Sequence, residues 1–272
     1  VGDDLPAPRM VSVSTKDPNA GSVSILGEEG TSVSSVKAVT VVATPASGYD
    51  FVFWADADGN MVSTKATYTY AQAESIELVA YFGHNYWKAV GQTSAALGET
   101  RENNAFLTSI SYKAGAAGYK QIFSADAAPE TSVYFLLKDV IIAHAGDLVK
   151  IKWTGLGGMV YCYLSAYYDS NGDGVFDPAP FTTLGARNKQ TAAVQNNEVS
   201  IQIPATAVGL KRVRLRFDGA WHTAWDASLN AFPANADTNR PVYDIYLYVV
   251  NEGGGEVEPV WSPVTETGGK GE

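Results

Sequence analysis

The chain has 272 residues, of which 46% are hydrophobic and 18% charged, and its formal net charge is -10. That composition suits one large or two ordinary globular domains, excludes a disordered chain, and is enough to bury a core without disulfides. The negative charge repels phosphate and so argues against nucleic acid as a partner, while calcium and neutral polymers such as glycans remain open.

Residues 1–10, VGDDLPAPRM, read as an N-terminal extension, the start of a mature or trimmed protein that leaves a lipid anchor ahead of it open. Period-two alternation then dominates. MVSVSTK, GSVSILG, VKAVTVVATP, FVFWADA, ATYTYA and SIELVAYF predict six strands, rich in Val, Thr, Tyr and Phe and separated by turn residues. Asp58-Gly59-Asn60 marks a hairpin turn. These strands predict one module over 11–83. A second domain is predicted over 84–251, with strands in SISYKA, YKQIFS, TSVYFLLKDVIIA, DLVKIKWTG, MVYCYLSAYYD, NEVSIQIPA, KRVRLRFDG and VYDIYLYVV. In KRVRLRF, Val213, Leu215 and Phe217 predict a buried face, and Arg212, Arg214 and Arg216 a wet one. Loops over about 92–107 and 218–240 are long enough to suggest function. Residues 252–272 are rich in Gly, Pro and Glu and read as a tail. The fold class expected is all-β: a small β-grasp-like, strand-rich N-terminal module and a larger β-sandwich or jelly-roll domain.

The single cysteine, Cys162, can form no internal disulfide, has no zinc-ligand spacing and reads as a core thiol. No run of 18 apolar residues exists, so no transmembrane segment is expected.

Residues 48–82, GYDFVFWADADGNMVSTKATYTYAQAESIELVAYF, resemble the divergent internalin-type B-repeat of bacterial surface proteins. Gly48-Tyr49, Phe51, Trp54, Asp58-Gly59-Asn60, Tyr68 and Tyr70, and Ala80-Tyr81-Phe82 carry the likeness, with Phe53 where the family often has Gly. The resemblance implies a spacer or adhesive unit without catalysis. Trp54 and Tyr49 read as core, because each can bury a large apolar area in a small domain. The second domain is similar to the GEVED-type β-sandwich of secreted bacterial proteins through YYDSNGDGVFD, VSIQIPA with KRVRLRF, and PVYDIYLYVV. Val242 and Asp244 fit the acidic motif that opens that family's last strand, and GEVE at 255–258 lies beyond it.

YYDSNGDGVFD places side-chain oxygens of Asp169, Asn171, Asp173 and Asp177 at positions 1, 3, 5 and 9 of a calcium-loop pattern. Gly174 sits at the sharp turn of position 6 and the Val175 carbonyl at position 7. Pro180 stands where a helix-loop-helix calcium site has its glutamate, so the pattern predicts an inter-strand loop with a structural calcium ion; a solvated Asx turn is the alternative. In DGAWHTAWDASLNAFPANADTNRP, Trp221, His222, Trp225 and Asp226 are the candidate ligand-binding residues. Aromatic faces stack on sugars and polar groups take hydroxyls, unless the two Trp side chains only pin the loop down.

Of the three histidines, His84 falls at the domain junction, His144 at a strand end and His222 in that loop. No Gly-x-Ser-x-Gly or His-Glu-x-x-His motif occurs, and no catalytic residue is named. The reading is a secreted or bacterial cell-surface, non-catalytic module, expected as a monomer, that binds a glycan or a surface protein. A spacer or accessory domain of a larger secreted hydrolase is the alternative, and a hydrolase using loop carboxylates the third possibility.

Overall fold

A computed structural model of the chain describes residues 7–85, 90–91, 106–125, 134–156, 161–174, 176, 181–186, 198–218, 235–236 and 242–250. All regular structure among them is β, as expected, and none of it is helix. They fall into two compact units, 7–47 with Phe51–Phe82, and Gly48–Asp50 with the described part of Gly83–Glu252.

The first unit contains β1 (Arg9–Thr15), β2 (Gly21–Ile25), β3 (Ser32–Ser35), β4 (Val39–Pro45), β5 (Tyr49–Ala55), β6 (Met61–Ser63), β7 (Thr67–Tyr70) and β8 (Ile76–His84). A five-stranded sheet runs β3-β1-β8-β5-β6 and a three-stranded sheet β2-β4-β7. β1 and β8 pair in parallel, Val11 opposite Ile76 and Val13 opposite Leu78, which brings the two ends of the unit to the middle of its larger sheet. The alternating residues of both sheets meet in one core that includes Val11, Val13, Val41, Trp54 and Leu78. Trp54 is fully buried, and its indole N–H donates to the Lys65 carbonyl at 3.1 Å, so the polar end of a large apolar ring is satisfied. Gly21 allows a close approach here, since a Cβ on it would come within 2.5 Å of the Phe82 ring.

The hairpin turn expected at Asp58-Gly59-Asn60 joins β5 to β6. Asp56 anchors it: its carboxylate accepts the Asp58 and Asn60 backbone N–H groups at 3.0 and 2.8 Å, and Gly59 takes a φ of 88°. Tyr49 departs from the core expectation. It is half-buried and stacks on His84 with 4.8 Å between ring centres, and both residues group with the second unit rather than with the Trp54 core.

The second unit adds β9 (Val90–Gly91), β10 (Phe106–Ala114), β11 (Lys120–Ser124), β12 (Tyr134–His144), β13 (Leu148–Leu156), β14 (Tyr161–Tyr168), β15 (Phe181–Ala186), β16 (Glu198–Gln202), β17 (Gly209–Asp218), β18 (Asn235–Ala236) and β19 (Val242–Val250). All eight strands expected here form. β18 lies inside 218–240, read from sequence as loop, and pairs in parallel with β9. A four-stranded sheet, β11-β10-β13-β16, faces a five-stranded one, β12-β19-β17-β14-β15. Between them lie Ile110, Ile151 and Trp153 from the first sheet and Leu164, Val213, Leu215, Tyr243, Ile245 and Leu247 from the second. The Cys162 side chain lies outside the described residues.

One expectation fails in this sheet. The arginine face of β17 is not wet: Arg212 and Arg214 are fully buried and Arg216 is 5% exposed. β17 is an interior strand between β19 and β14, and every described side chain of β19 up to Val249 is buried on both faces.

Candidate functional site

The buried face of β17 and β19 is built by register. Arg214 lies directly opposite Asp244, and Arg212 opposite Tyr246, on the side away from the Val213 and Ile245 core. Asp244 therefore sits between two guanidinium groups. Arg214 binds it bidentately, Nε to Oδ1 at 2.6 Å and Nη2 to Oδ2 at 2.7 Å, and Arg212 Nη2 donates to Oδ2 at 2.7 Å. The Tyr134 hydroxyl of β12 donates to the same oxygen at 2.8 Å and accepts from Arg212 Nη2 at 2.7 Å. The Tyr246 ring lies 4.9 Å from the Arg212 guanidinium carbon, and the Phe176 ring 4.9 Å from that of Arg214. Planar, weakly hydrated guanidinium groups suit such a site, where rings take the faces and a carboxylate the edges.

Burial works to lower the Arg212 pKa, but Asp244, Tyr246 and Tyr134 more than offset it and the net direction is up. Burial first, and then the Asp244 charge, push the Tyr134 hydroxyl up to about 12. Burial likewise raises Tyr246 and Tyr243. The cluster is held by a neutral Tyr134 that can donate.

The candidate calcium loop leaves the end of β14 next to this cluster. Asp169 is fully buried, and its backbone N–H donates to the Arg212 carbonyl at 3.1 Å. Its carboxylate caps the curl: Oδ1 accepts from Gly172 and Asp173 N–H at 2.6 and 3.2 Å, and Oδ2 from Gly174 N–H at 3.0 Å. Gly172 and Gly174 take φ values of 75° and 91°, which side chains disfavour. Asn171 and Asp173 bond to each other, Nδ2 to Oδ2 at 2.9 Å. Of the expected ligands, Asp169 is buried within the curl and Asn171 and Asp173 are exposed, while Val175 and Asp177 lie outside the described residues. Among the described residues no three His, Cys, Asp or Glu side chains gather to hold a metal.

The described half brings oxygens of two carboxylates and an amide into one curl, the donor type that a hard cation takes. The protein's own ammonium lies beside the loop. A Cβ on Gly172 would come 3.0 Å from the ammonium of Lys211, a residue only 7% exposed. Sequence reading missed Lys211, because nothing in the spacing of β17 tells that its third residue lies beside a loop from β14.

The four candidate ligand-binding residues, Trp221, His222, Trp225 and Asp226, lie outside the described residues. A groove of about 540 Å³, unforeseen from the sequence, opens between β11 and β12, the end strands of the two facing sheets. Phe123, Tyr134, Phe135 and Leu136 line it with Lys138 and Asp139. Phe135 stacks on Tyr243 at 4.8 Å, so the aromatic wall is continuous with the core.

These features define the class first: an all-β chain whose second unit is a sandwich with a buried arginine–aspartate cluster under an aspartate-rich loop. Residues 11–86 match the family of the divergent InlB B-repeat domain, in line with the likeness read from 48–82. The match points to a bacterial surface-associated or secreted module, and it leaves the GEVED-type likeness of the second unit without support. No curated protein is matched by the chain. No helix among the described residues is long and apolar enough to cross a membrane.

Replacing Asp244 by Asn should cost about 3–5 kcal/mol, because it leaves two buried cations without their counter-charge; urea unfolding of the variant measures this. Stability should also fall as pH rises from 10 to about 12. The unfolded chain loses its tyrosine protons near 10 while folded Tyr134 holds its own to about 12, so the unfolded state binds fewer protons in that window. Tyr134→Phe should flatten part of that fall in urea titrations between pH 9 and 12.

Proposed function

We propose that the protein is a non-catalytic bacterial surface module that binds a glycan or a surface protein, with a structural calcium ion in the 169–177 loop. The observation that carries this reading is the match of residues 11–86 to a surface-repeat family, in one chain with a β-sandwich. The groove between β11 and β12 supports contact with a small polar ligand, since aromatic rings and a lysine–aspartate pair share its wall. Trp221, His222, Trp225 and Asp226 remain the loop candidates for the same task. The spacer role is the second reading, favoured by the self-contained Trp54 core of the matched module.

Calcium would be held by Asp169, Asn171, Asp173 and Asp177 with the Val175 carbonyl. It would supply charge neutralisation to a loop that otherwise leans on Lys211, and its role is to hold the turn. Phe176 of this loop covers Arg214, so a stiffer loop also protects the buried cluster.

Two experiments test the reading. Thermal melting in excess EDTA and then in millimolar calcium should show a rise of several degrees, since an ion at about 100 times its dissociation constant adds ~2.7 kcal/mol. Lys211→Met should melt lower in EDTA and gain more from calcium than the wild type. Superimposable curves with and without calcium, in both proteins, would sink the metal. On a glycan array, Trp221→Ala should lose the wild-type hits by about tenfold or more with an unchanged melting temperature; intact binding would move the contact to the groove, and no wild-type hit would favour the spacer.

A further inference from the structure

The outer face of the four-stranded sheet β11-β10-β13-β16 differs from the rest of this acidic chain. Tyr112, Ile110, Val149, Ile151 and Trp153 point into the core, so the alternate residues of β10 and β13 form the opposite face. There Lys113 lies opposite Lys150, and Ser111 opposite Lys152. Lys152 in turn lies opposite Glu198 of β16. Tyr119, 40% exposed, lies beside them, with the Lys113 and Lys152 ammonium groups 5.2 and 5.7 Å from its ring centre. Three lysines and one glutamate thus meet around one exposed aromatic ring, on a chain whose net charge is -10.

The glutamate is already engaged. Glu198 pairs with Lys150 at 2.9 Å and accepts a hydrogen bond from the Tyr119 hydroxyl. The Tyr119 bond first, and then Lys150, hold its carboxyl below the usual range, so it stays charged and committed to Lys150. Among the described residues, Lys113 and Lys152 have no carboxylate at ion-pair distance. Around them the face offers hydroxyls: Thr154 bonds to Thr108 at 2.7 Å and to Ser109 at 2.6 Å.

We propose that this face docks an acidic polysaccharide, with Lys113 and Lys152 taking its carboxylates and Tyr119 and the Thr154 hydroxyl taking the sugar between them. The charge is complementary. Beyond about 8 Å the repulsion from the rest of the chain is screened at physiological salt, so the local positive charge decides binding. The face is an open sheet surface, which suits an extended polymer. Tyr119 is its one aromatic anchor, and lysine is depleted in the apolar centres of protein interfaces, which argues against a protein partner. Duplex nucleic acid carries roughly one charge per 1.7 Å and is held by many phosphate contacts at once, more than Lys113 and Lys152 supply, whereas a glycan with spaced carboxylates needs only a few. The proposal needs neither the Trp221 loop nor calcium and stands apart from the reading above.

The test is affinity electrophoresis of the full chain through gels containing polygalacturonate, hyaluronan, neutral dextran or duplex DNA. The wild type should be retarded by at least one acidic glycan and not by dextran or DNA, and ~1 M salt should abolish the retardation. Lys113→Gln with Lys152→Gln should weaken it roughly tenfold, the sum expected of two exposed ion pairs, without changing the melting temperature. Trp221→Ala should leave it unchanged. Absence of retardation by both acidic glycans, retardation by DNA as strong as by glycan, or wild-type behaviour of the double variant would each overturn the proposal.

Discussion

The second unit depends on one carboxylate held between two guanidinium groups. Asp244 and Arg214 are fully buried, and Arg212 has a side-chain exposure of 1%. Taking such charges out of water costs several kcal/mol per ion, and the cost is recovered only where geometry is good and the remaining donors find partners. Here the register supplies the geometry. Arg214 and Asp244 are cross-strand neighbours, so a bidentate pair forms without bending either strand. Tyr134 arrives from β12, on the other side of β19, and fills the remaining gap on the carboxylate. The strand order β12-β19-β17 is therefore also the order of a hydrogen-bonded row, and any slip of one residue would turn Asp244 into the apolar core.

That row explains why the aspartate-rich loop matters to the fold whether or not it binds an ion. Asp169 ties the loop to the Arg212 backbone, and Phe176 lies over the Arg214 guanidinium. Asp169 caps three backbone N–H groups with its carboxylate, so the chain's own hydrogen bonds form the curl. Lys211 lies beside Gly172 of that curl.

The first unit solves a different problem with apolar means. Small domains bury a modest share of their surface, so each large side chain counts. Trp54 is fully buried in its core, and the parallel β1/β8 pair lies inside its larger sheet. Its one described buried charge, Arg9, is met by backbone carbonyls of Lys37 and Ser35 rather than by a carboxylate. The match to a surface-repeat family covers this unit, while the buried ion cluster lies in the second.

Alternation by itself determined the all-β class and fourteen strand positions, because period-two spacing fixes which side chains share a face; turn residues marked the Asp58-Gly59-Asn60 hairpin, and ring size the burial of Trp54. It also placed Asp169, Asn171 and Asp173 on one curl, since glycines at positive φ are visible as glycines. Short strands such as β3 and β6 escaped, being too brief and too polar to show a period. What alternation could not decide is whether the second face of a strand meets water. KRVRLRF reads the same at an edge and in the interior of a sheet. Only the tertiary structure, by setting β17 between β19 and β14, turned a presumed wet arginine face into a buried ion cluster and drew Lys113, Lys152 and Tyr119 together from three separate segments. The reason is physical: local sequence sets the direction of a side chain, but its dielectric surroundings are set by strands distant along the chain.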